Sequence, residues 1–213
     1  YEGTYLTSEL SQNELVTKMV GRELDKRDKT VREHKNSSEE CVISLEQIVS
    51  RPKLKNISLH VKKGEIVGLA GLLGSGRTET AQVMFGYTVP DAGNILLKGE
   101  KVSLRSPRDG LKHKMAFCTE NRREEGIIPN MSVKDNILLS SLKTISSHGF
   151  LNRAKGDKIV QQYIERFQIK TPSPEQKIKN LSGGNQQKVI LARWLATDPD
   201  FIIFDEPTRG IDV

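Results

Sequence analysis

Cysteine is nearly absent: the 213 residues hold two, Cys41 and Cys118, and neither forms a C-x-x-C pair or a metal-ligand spacing with a histidine. This excludes a disulfide framework and a structural metal site, and leaves both as small hydrophobes in apolar, strand-like runs. No stretch approaches the ~18 consecutive apolar residues of a membrane span, and the first residues have no apolar core of a signal peptide. A soluble chain is expected. Aromatic residues are scarce, at 5%, and the net charge of +6 is spread over interleaved signs, as in Arg122-Arg123-Glu124-Glu125. Basic residues without aromatic partners do not make a nucleic-acid surface, so none is expected. Nor does a sustained heptad run appear between Gly86 and Asn180, which excludes a long coiled coil.

What is present is concentrated in three places. Leu181-Ser182-Gly183-Gly184-Asn185-Gln186-Gln187-Lys188 puts a Ser-Gly-Gly turn at the start of an amphipathic stretch running through Val189, Ala192 and Trp194. Such a turn offers an anion a hydroxyl, uncovered backbone N–H groups and the positive end of a helix dipole. The competing reading is a plain helix cap, since serine is a favoured N-cap residue.

Upstream, Gly64 to Ala70 reads as a turn and a buried strand that runs into Gly71-Leu72-Leu73-Gly74-Ser75-Gly76-Arg77-Thr78 and a helix to Phe85. Strand, glycine-rich loop and helix is the context of a phosphate-binding P-loop, and the spacing fits G-x-x-x-x-G-K-S/T except that Arg77 stands where lysine belongs. A guanidinium is larger, planar and forked where the lysine delivers a compact ammonium to the phosphates. Gly71, Gly74, Ser75, Gly76, Arg77 and Thr78 are therefore expected to bind phosphate, with the Thr78 hydroxyl on Mg²⁺ and hydrolysis impaired. A dinucleotide-binding reading fails because Glu79 stands where the third glycine or alanine of G-x-G-x-x-G should fall.

The third place is Phe201-Ile202-Ile203-Phe204-Asp205-Glu206, a wholly apolar run ending in two acids. Such a run suits a central parallel strand, and carboxylates at its C-terminal end sit beside a P-loop. Asp205 is expected to hold Mg²⁺ and Glu206 to orient or deprotonate an attacking water.

The order of these motifs resembles the nucleotide-binding domain of ABC transporters, with a Walker A loop at Gly71 to Thr78, a signature at Leu181 to Gln186, a Walker B strand at Phe201 to Glu206 and the start of a D-loop at Gly210 to Asp212. Gly-Leu-Leu-Gly-Ser-Gly-Arg-Thr-Glu at 71–79, Glu-Asn-Arg-Arg-Glu-Glu-Gly at 120–126 and Pro-Thr-Arg-Gly-Ile-Asp-Val at 207–213 together resemble the second ATP-binding domain of bacterial monosaccharide importers of the ribose, xylose and galactose type. The resemblance covers nearly everything from Cys41 to Val213. It implies an α/β P-loop NTPase with a parallel central sheet, an antiparallel β subdomain and an inserted helical subdomain at about 130–196, truncated at the C-terminus.

The resemblance also supplies roles. Glu120 stands where the Q-loop glutamine belongs and is implied, with Glu206, in catalysis; Asp205 and Thr78 are implied in holding Mg²⁺. ABC domains work in pairs, so Ser182, Gly183 and Gly184 would complete the ATP site of a first domain in the same polypeptide, while this domain's own site holds ATP with little turnover. Permease subunits and, indirectly, a periplasmic sugar-binding protein are the implied partners. A peripheral place on the cytoplasmic face of the membrane is the implied location.

Residues 1–40 differ in character. Ser11-Gln12-Asn13-Glu14 is a capping box, Leu15, Val16, Met19 and Val20 make a short apolar stripe, and Gly21 suits a helix end. Arg22 to Glu40 is almost wholly polar and reads as a charged linker, following what would be the tail of a preceding domain. Two further helices are expected at Ser132 to Leu142 and Lys155 to Phe167, the second with Ile159, Val160, Tyr163, Ile164 and Phe167 on one core-facing stripe.

Two absences qualify the resemblance. None of His34, His60, His113 or His148 follows Glu206, so the switch histidine of these domains is not expected within this chain and its own site is expected to be incomplete. No aromatic lies between Cys41 and Gly71 for a base to stack on, and the turn near Ser50 and Arg51 offers a guanidinium instead. Two other readings stay open: an ABC ATPase unconnected with transport, and a nucleotide-responsive dimerisation module without hydrolysis.

Overall fold

A computed structural model describes residues 4–6, 10–11, 14–15, 17–18, 39–147 and 149–206. The linker residues up to 38 and the Pro207–Val213 stretch, with its D-loop, lie outside them. The chain divides into two compact units, Tyr1–Ser37 with Asp212–Val213, and Ser38–Ile211. In the first, the capping box forms as its spacing predicts: Glu14 Oε2 accepts from the Ser11 amide at 3.0 Å and hydroxyl at 2.7 Å, and Ser11 Oγ accepts from the Glu14 amide at 3.3 Å. These bonds to the ionised form hold the Glu14 carboxyl below its usual range.

The second unit opens with strands β1 (Cys41–Ser50) and β2 (Leu54–Lys62), followed by helix α1 (Arg77–Phe85), strands β3 (Ala92–Leu97) and β4 (Glu100–Val102), helix α2 (Pro107–Lys112) and strand β5 (Met115–Cys118). The first four strands form an antiparallel sheet in the order β2-β1-β3-β4. Ile43, Leu45 and Ile48 of β1, buried at 2% exposure or less, share one apolar cluster with Val83, Met84 and Phe85 of α1, which are also buried.

After β5 come a π-helical turn (Arg122–Gly126), helix α3 (Val133–Leu138) continued by a 3₁₀ turn at Leu139–Ser141, helix α4 (Leu142–Ile145), a short hairpin of β6 (Ser146–Ser147) and β7 (Phe150–Leu151), and helix α5 (Arg153–Arg166). Helix α6 (Gly183–Leu195) and strand β8 (Phe201–Phe204) complete the described order. Ser132 caps α3 by accepting from the Asp135 amide at 2.9 Å, and Asn152 caps α5 from the Lys155 amide at 3.0 Å. The predicted helix at 132–142 is thus broken into three short pieces, which bend the chain around Val133, Ile137 and Ile145 of a second apolar cluster. Val160 and Tyr163 are buried in that cluster, with Ile159, Ile164 and Phe167 packed against it, so the α5 stripe is core.

Strands β5 and β8 pair in parallel, Met115 with Phe201 through Cys118 with Phe204, which places the two acids after β8 level with the residues after β5. Trp194 of α6 joins the two clusters, its ring meeting Phe85 edge-on at 5.6 Å between centroids.

One expectation fails. Gly64 to Ala70 is neither a strand nor buried: Ile66 is 90% exposed and Leu69 44%, and no ladder includes them among the described residues. An apolar run becomes a strand only where a sheet edge takes up its N–H and C=O groups. Here a cavity of about 550 Å³ lies between Glu65–Leu69 and β8, and glycines at 64 and 68 weaken extended pairing. The parallel sheet therefore holds two strands among the described residues.

Candidate functional site

The glycine-rich loop owes its shape to three positions. Gly74 and Gly76 adopt φ +79° and +90°, where a side chain is strained. A Cβ on Gly71 would lie 2.5 Å from Ser75 Oγ. Gly76 caps α1 with no side-chain hydrogen bond, so the first-turn N–H groups of α1, which no intrahelical partner satisfies, are left to an anion.

Beside this loop, β8 ends in Asp205 and Glu206. The Asp205 amide donates to Cys118 O at 2.9 Å, tying the acids to the end of β5. Its carboxylate is buried, and Oδ2 has no hydrogen-bond partner among the described residues. Burial pushes this carboxyl above its usual range; the Thr78 hydroxyl opposes the rise, neighbouring Glu206 adds to it and Arg77 reduces it. An orphaned buried carboxylate oxygen beside a threonine hydroxyl fits a hard, oxygen-seeking cation such as Mg²⁺.

Glu206 turns away from the strand with φ +44°, a costly conformation for a side-chain residue. Its Oε1 accepts from Arg77 Nη2 at 3.3 Å, with both side chains about a third exposed. The residue expected to contact phosphate and the one expected to prepare water are thus paired with each other. Arg77, Asp205 and Glu206 line the cavity beside β8 together with apolar side chains that include Ala81, Met84 and Ile203.

Lys53, in the turn between β1 and β2, pairs with Glu79 of α1 and holds its carboxyl low. Nothing in the sequence singles out Lys53, because a lysine in a turn is ordinarily a solvated charge. Arg51 of the same turn is exposed and donates its amide to Asp91 Oδ2 at 2.8 Å.

Ser182, Gly183 and Gly184 lie elsewhere. They open α6, whose flank is built into the second cluster by Leu181, Val189 and Ile190, and they do not line the cavity. Ser182 is the N-cap residue, yet its side chain makes no capping bond; Oγ instead accepts from Asn185 Nδ2 at 2.9 Å. Asn185 Oδ1 in turn accepts the Lys170 amide at 2.9 Å. A plain cap is therefore not what the serine provides. Glu120, half-buried, follows β5 by two residues, on the side of the sheet where Asp205 and Glu206 follow β8.

Residues 54–209 match the ABC transporter family. The chain belongs to that family. Over its whole length this ABC domain is 43% identical to a putative ribose/galactose/methyl galactoside import ATP-binding protein of Geobacillus kaustophilus, and 45% identical to the galactofuranose transporter ATP-binding protein YtfR of Escherichia coli O157:H7. It spans 42% and 43% of the length of those relatives. Among solved structures, a dimeric post-hydrolysis state of an ATP-binding cassette bound to ADP and Pi superposes with TM-score 0.68 at 23% identity, over 80% of this chain and 76% of that one. The ABC domain is an α/β P-loop NTPase and its family binds nucleotide. Among the described residues no helix is long and apolar enough to cross a membrane.

Proposed function

We propose that this ABC domain is the ATP-binding part of a bacterial monosaccharide importer, and that its own nucleotide site holds ATP rather than turning it over rapidly. The support for sugar import is the likeness, at 43% and 45% identity along the whole chain, to the ribose/galactose/methyl galactoside and galactofuranose ATP-binding proteins. The support for a slow site is the Arg77–Glu206 pair at 3.3 Å.

In this reading the amides from Gly74 to Thr78 and the start of α1 cradle the phosphates, while Thr78 and Asp205 hold Mg²⁺. Bound there, Mg²⁺ would neutralise charge on the β- and γ-phosphates. Glu206 would orient water, but the Arg77 guanidinium competes with that water for Oε1 of the carboxylate. Glu120 would meet the terminal phosphate from the loop after β5. Ser182, Gly183 and Gly184 face a second ATP-binding domain, in the same polypeptide, and complete its site in trans. Closing and reopening of that pair would drive permease subunits served by a sugar-binding protein, with this chain peripheral to the membrane on its cytoplasmic face.

The deciding experiment is steady-state ATP hydrolysis by the full-length protein assembled with its permease, unmodified and as Glu206→Gln. Turnover that falls less than about twofold supports a nucleotide-holding site; a loss of order 10²-fold or more, typical when an essential catalytic group is removed, would overturn it.

A further inference from the structure

Arg193 is a cation enclosed in the second apolar cluster, 6% exposed. It lies near the end of α6, the helix that begins with Gly183 and Gly184. Its three hydrogen bonds all go to uncharged oxygens: Nε donates to Asn136 O, Nη1 to Gly126 O and Nη2 to Asn136 Oδ1, each at 2.7 Å. Among the described residues no carboxylate forms an ion pair with it. The neighbouring Cys118 supplies no counter-charge either, since burial pushes its thiol up to about 12. The same burial brings the guanidinium down to about 10, so it remains protonated at neutral pH.

An apolar side chain would fill this place without desolvating a charge. What the guanidinium adds is a planar set of donors that fixes two carbonyls relative to α6. Those carbonyls belong to different parts of the chain. Asn136, fully buried on α3, also accepts the Ile128 amide at 3.0 Å and donates to Ile128 O at 3.1 Å and Ser132 O at 2.9 Å. Gly126 ends the π-helical turn, whose Glu125 and Gly126 amides both donate to Asn121 O, at 2.9 and 3.3 Å. Glu120 lies two residues before that turn.

We propose that Arg193 is a positioning residue that locks the far end of the Glu120–Gly126 turn to the helix presenting Ser182–Gly184, so that both loops answer nucleotide as one body. This rests on the proposed role of those loops at ATP. Arg193 touches no phosphate. It acts through Gly126 and Asn136.

The test compares full-length protein, unmodified and as Arg193→Lys and Arg193→Met, by thermal melting, by kcat and KM for ATP, and by hydrogen exchange of the 120–128 peptide with and without ATP. Lysine keeps the charge but cannot span three acceptors in one plane. If the lock operates, folded Arg193→Lys keeps KM within about threefold and loses about tenfold or more in kcat, the penalty of slight misplacement; its 120–128 peptide also loses the protection that ATP confers. Unchanged kcat and unchanged ATP protection in folded Arg193→Lys would overturn the proposal, as would activity lost only in proportion to folded protein. Should Arg193→Met fail to fold, the lysine variant alone decides. A failure of the underlying reading shows itself differently, in unmodified protein whose 120–128 exchange does not respond to ATP at all.

Discussion

Two helix starts in this molecule use glycine for the same purpose and reach different ends. At α1, Gly76 in a left-handed conformation caps the helix with no side chain, and the charged groups around it are crowded: Arg77 on Glu206, Lys53 on Glu79 and an orphaned Asp205 oxygen. At α6, Ser182 leads the helix with its hydroxyl turned to Asn185, and no ionised pair involves it. The first start has acids of its own chain beside it. In the proposed reading the second presents backbone N–H groups and one hydroxyl to a partner domain; near the other end of the same helix Arg193 is bonded to Gly126 and Asn136. Local anion-binding equipment does not by itself say which partner supplies the rest of a site; the neighbours do.

That contrast can be broken most forcefully at α6. Gly184→Asp puts a carboxylate in the first turn, where the helix dipole tolerates it but a phosphate does not. ATP hydrolysis by the full-length protein is expected to fall about 100-fold, the scale of losing a preorganised anion donor, with an unchanged melting temperature. At α1 the corresponding alanine change strikes the fold instead. A Cβ on Gly76 lies 2.9 Å from Leu54 Cδ2 at φ +90°, so Gly76→Ala should cost about 1–3 kcal/mol in urea unfolding.

A smaller effect tests the electrostatics at the end of β8. The Asp205 carboxyl is raised by burial, so the folded chain binds its proton more tightly than the unfolded chain does. The contribution of this group to stability without Mg²⁺ should therefore be greatest below the ordinary carboxylate range and decline as pH rises through it to the raised value. Melting temperatures across pH 4–8 check this: Asp205→Asn should flatten the decline, and added Mg²⁺ should offset it. The smallest effect belongs to the Lys53–Glu79 pair, half-exposed on the lysine side at 52%. Lys53→Met should cost about 0.5 kcal/mol or less, as exposed pairs do, and leave ATP turnover unchanged.

Much of the site was legible because its devices are local. The loop from Gly71 to Thr78, the serine-glycine turn at 182–184 and the apolar run before Asp205 each carry their chemistry in consecutive residues. The capping box at Ser11 and Glu14 is similarly short-range, and the α5 stripe follows from helical period alone. The strand expected at Gly64–Ala70 misled because apolar residues announce a wish to be buried, not the presence of a partner edge. The helix expected at 132–142 runs instead as α3, a 3₁₀ turn and α4, and the residues at the break, Leu139–Ser141, include no glycine or proline that would mark it in the sequence.

Sequence by itself determined the glycine-rich loop, the substitution of arginine for lysine at 77 and the membership of an ABC family, since each depends on residue type at fixed spacing along the chain. Only the tertiary structure decided that Arg77 meets Glu206 across 129 positions, that an Asp205 oxygen has no partner among the described residues, and that Arg193 reaches 67 positions back to Gly126. These contacts join residues that no local rule relates, and packing of α1, α6 and the β5–β8 pair around shared apolar clusters is what brings them within hydrogen-bond distance.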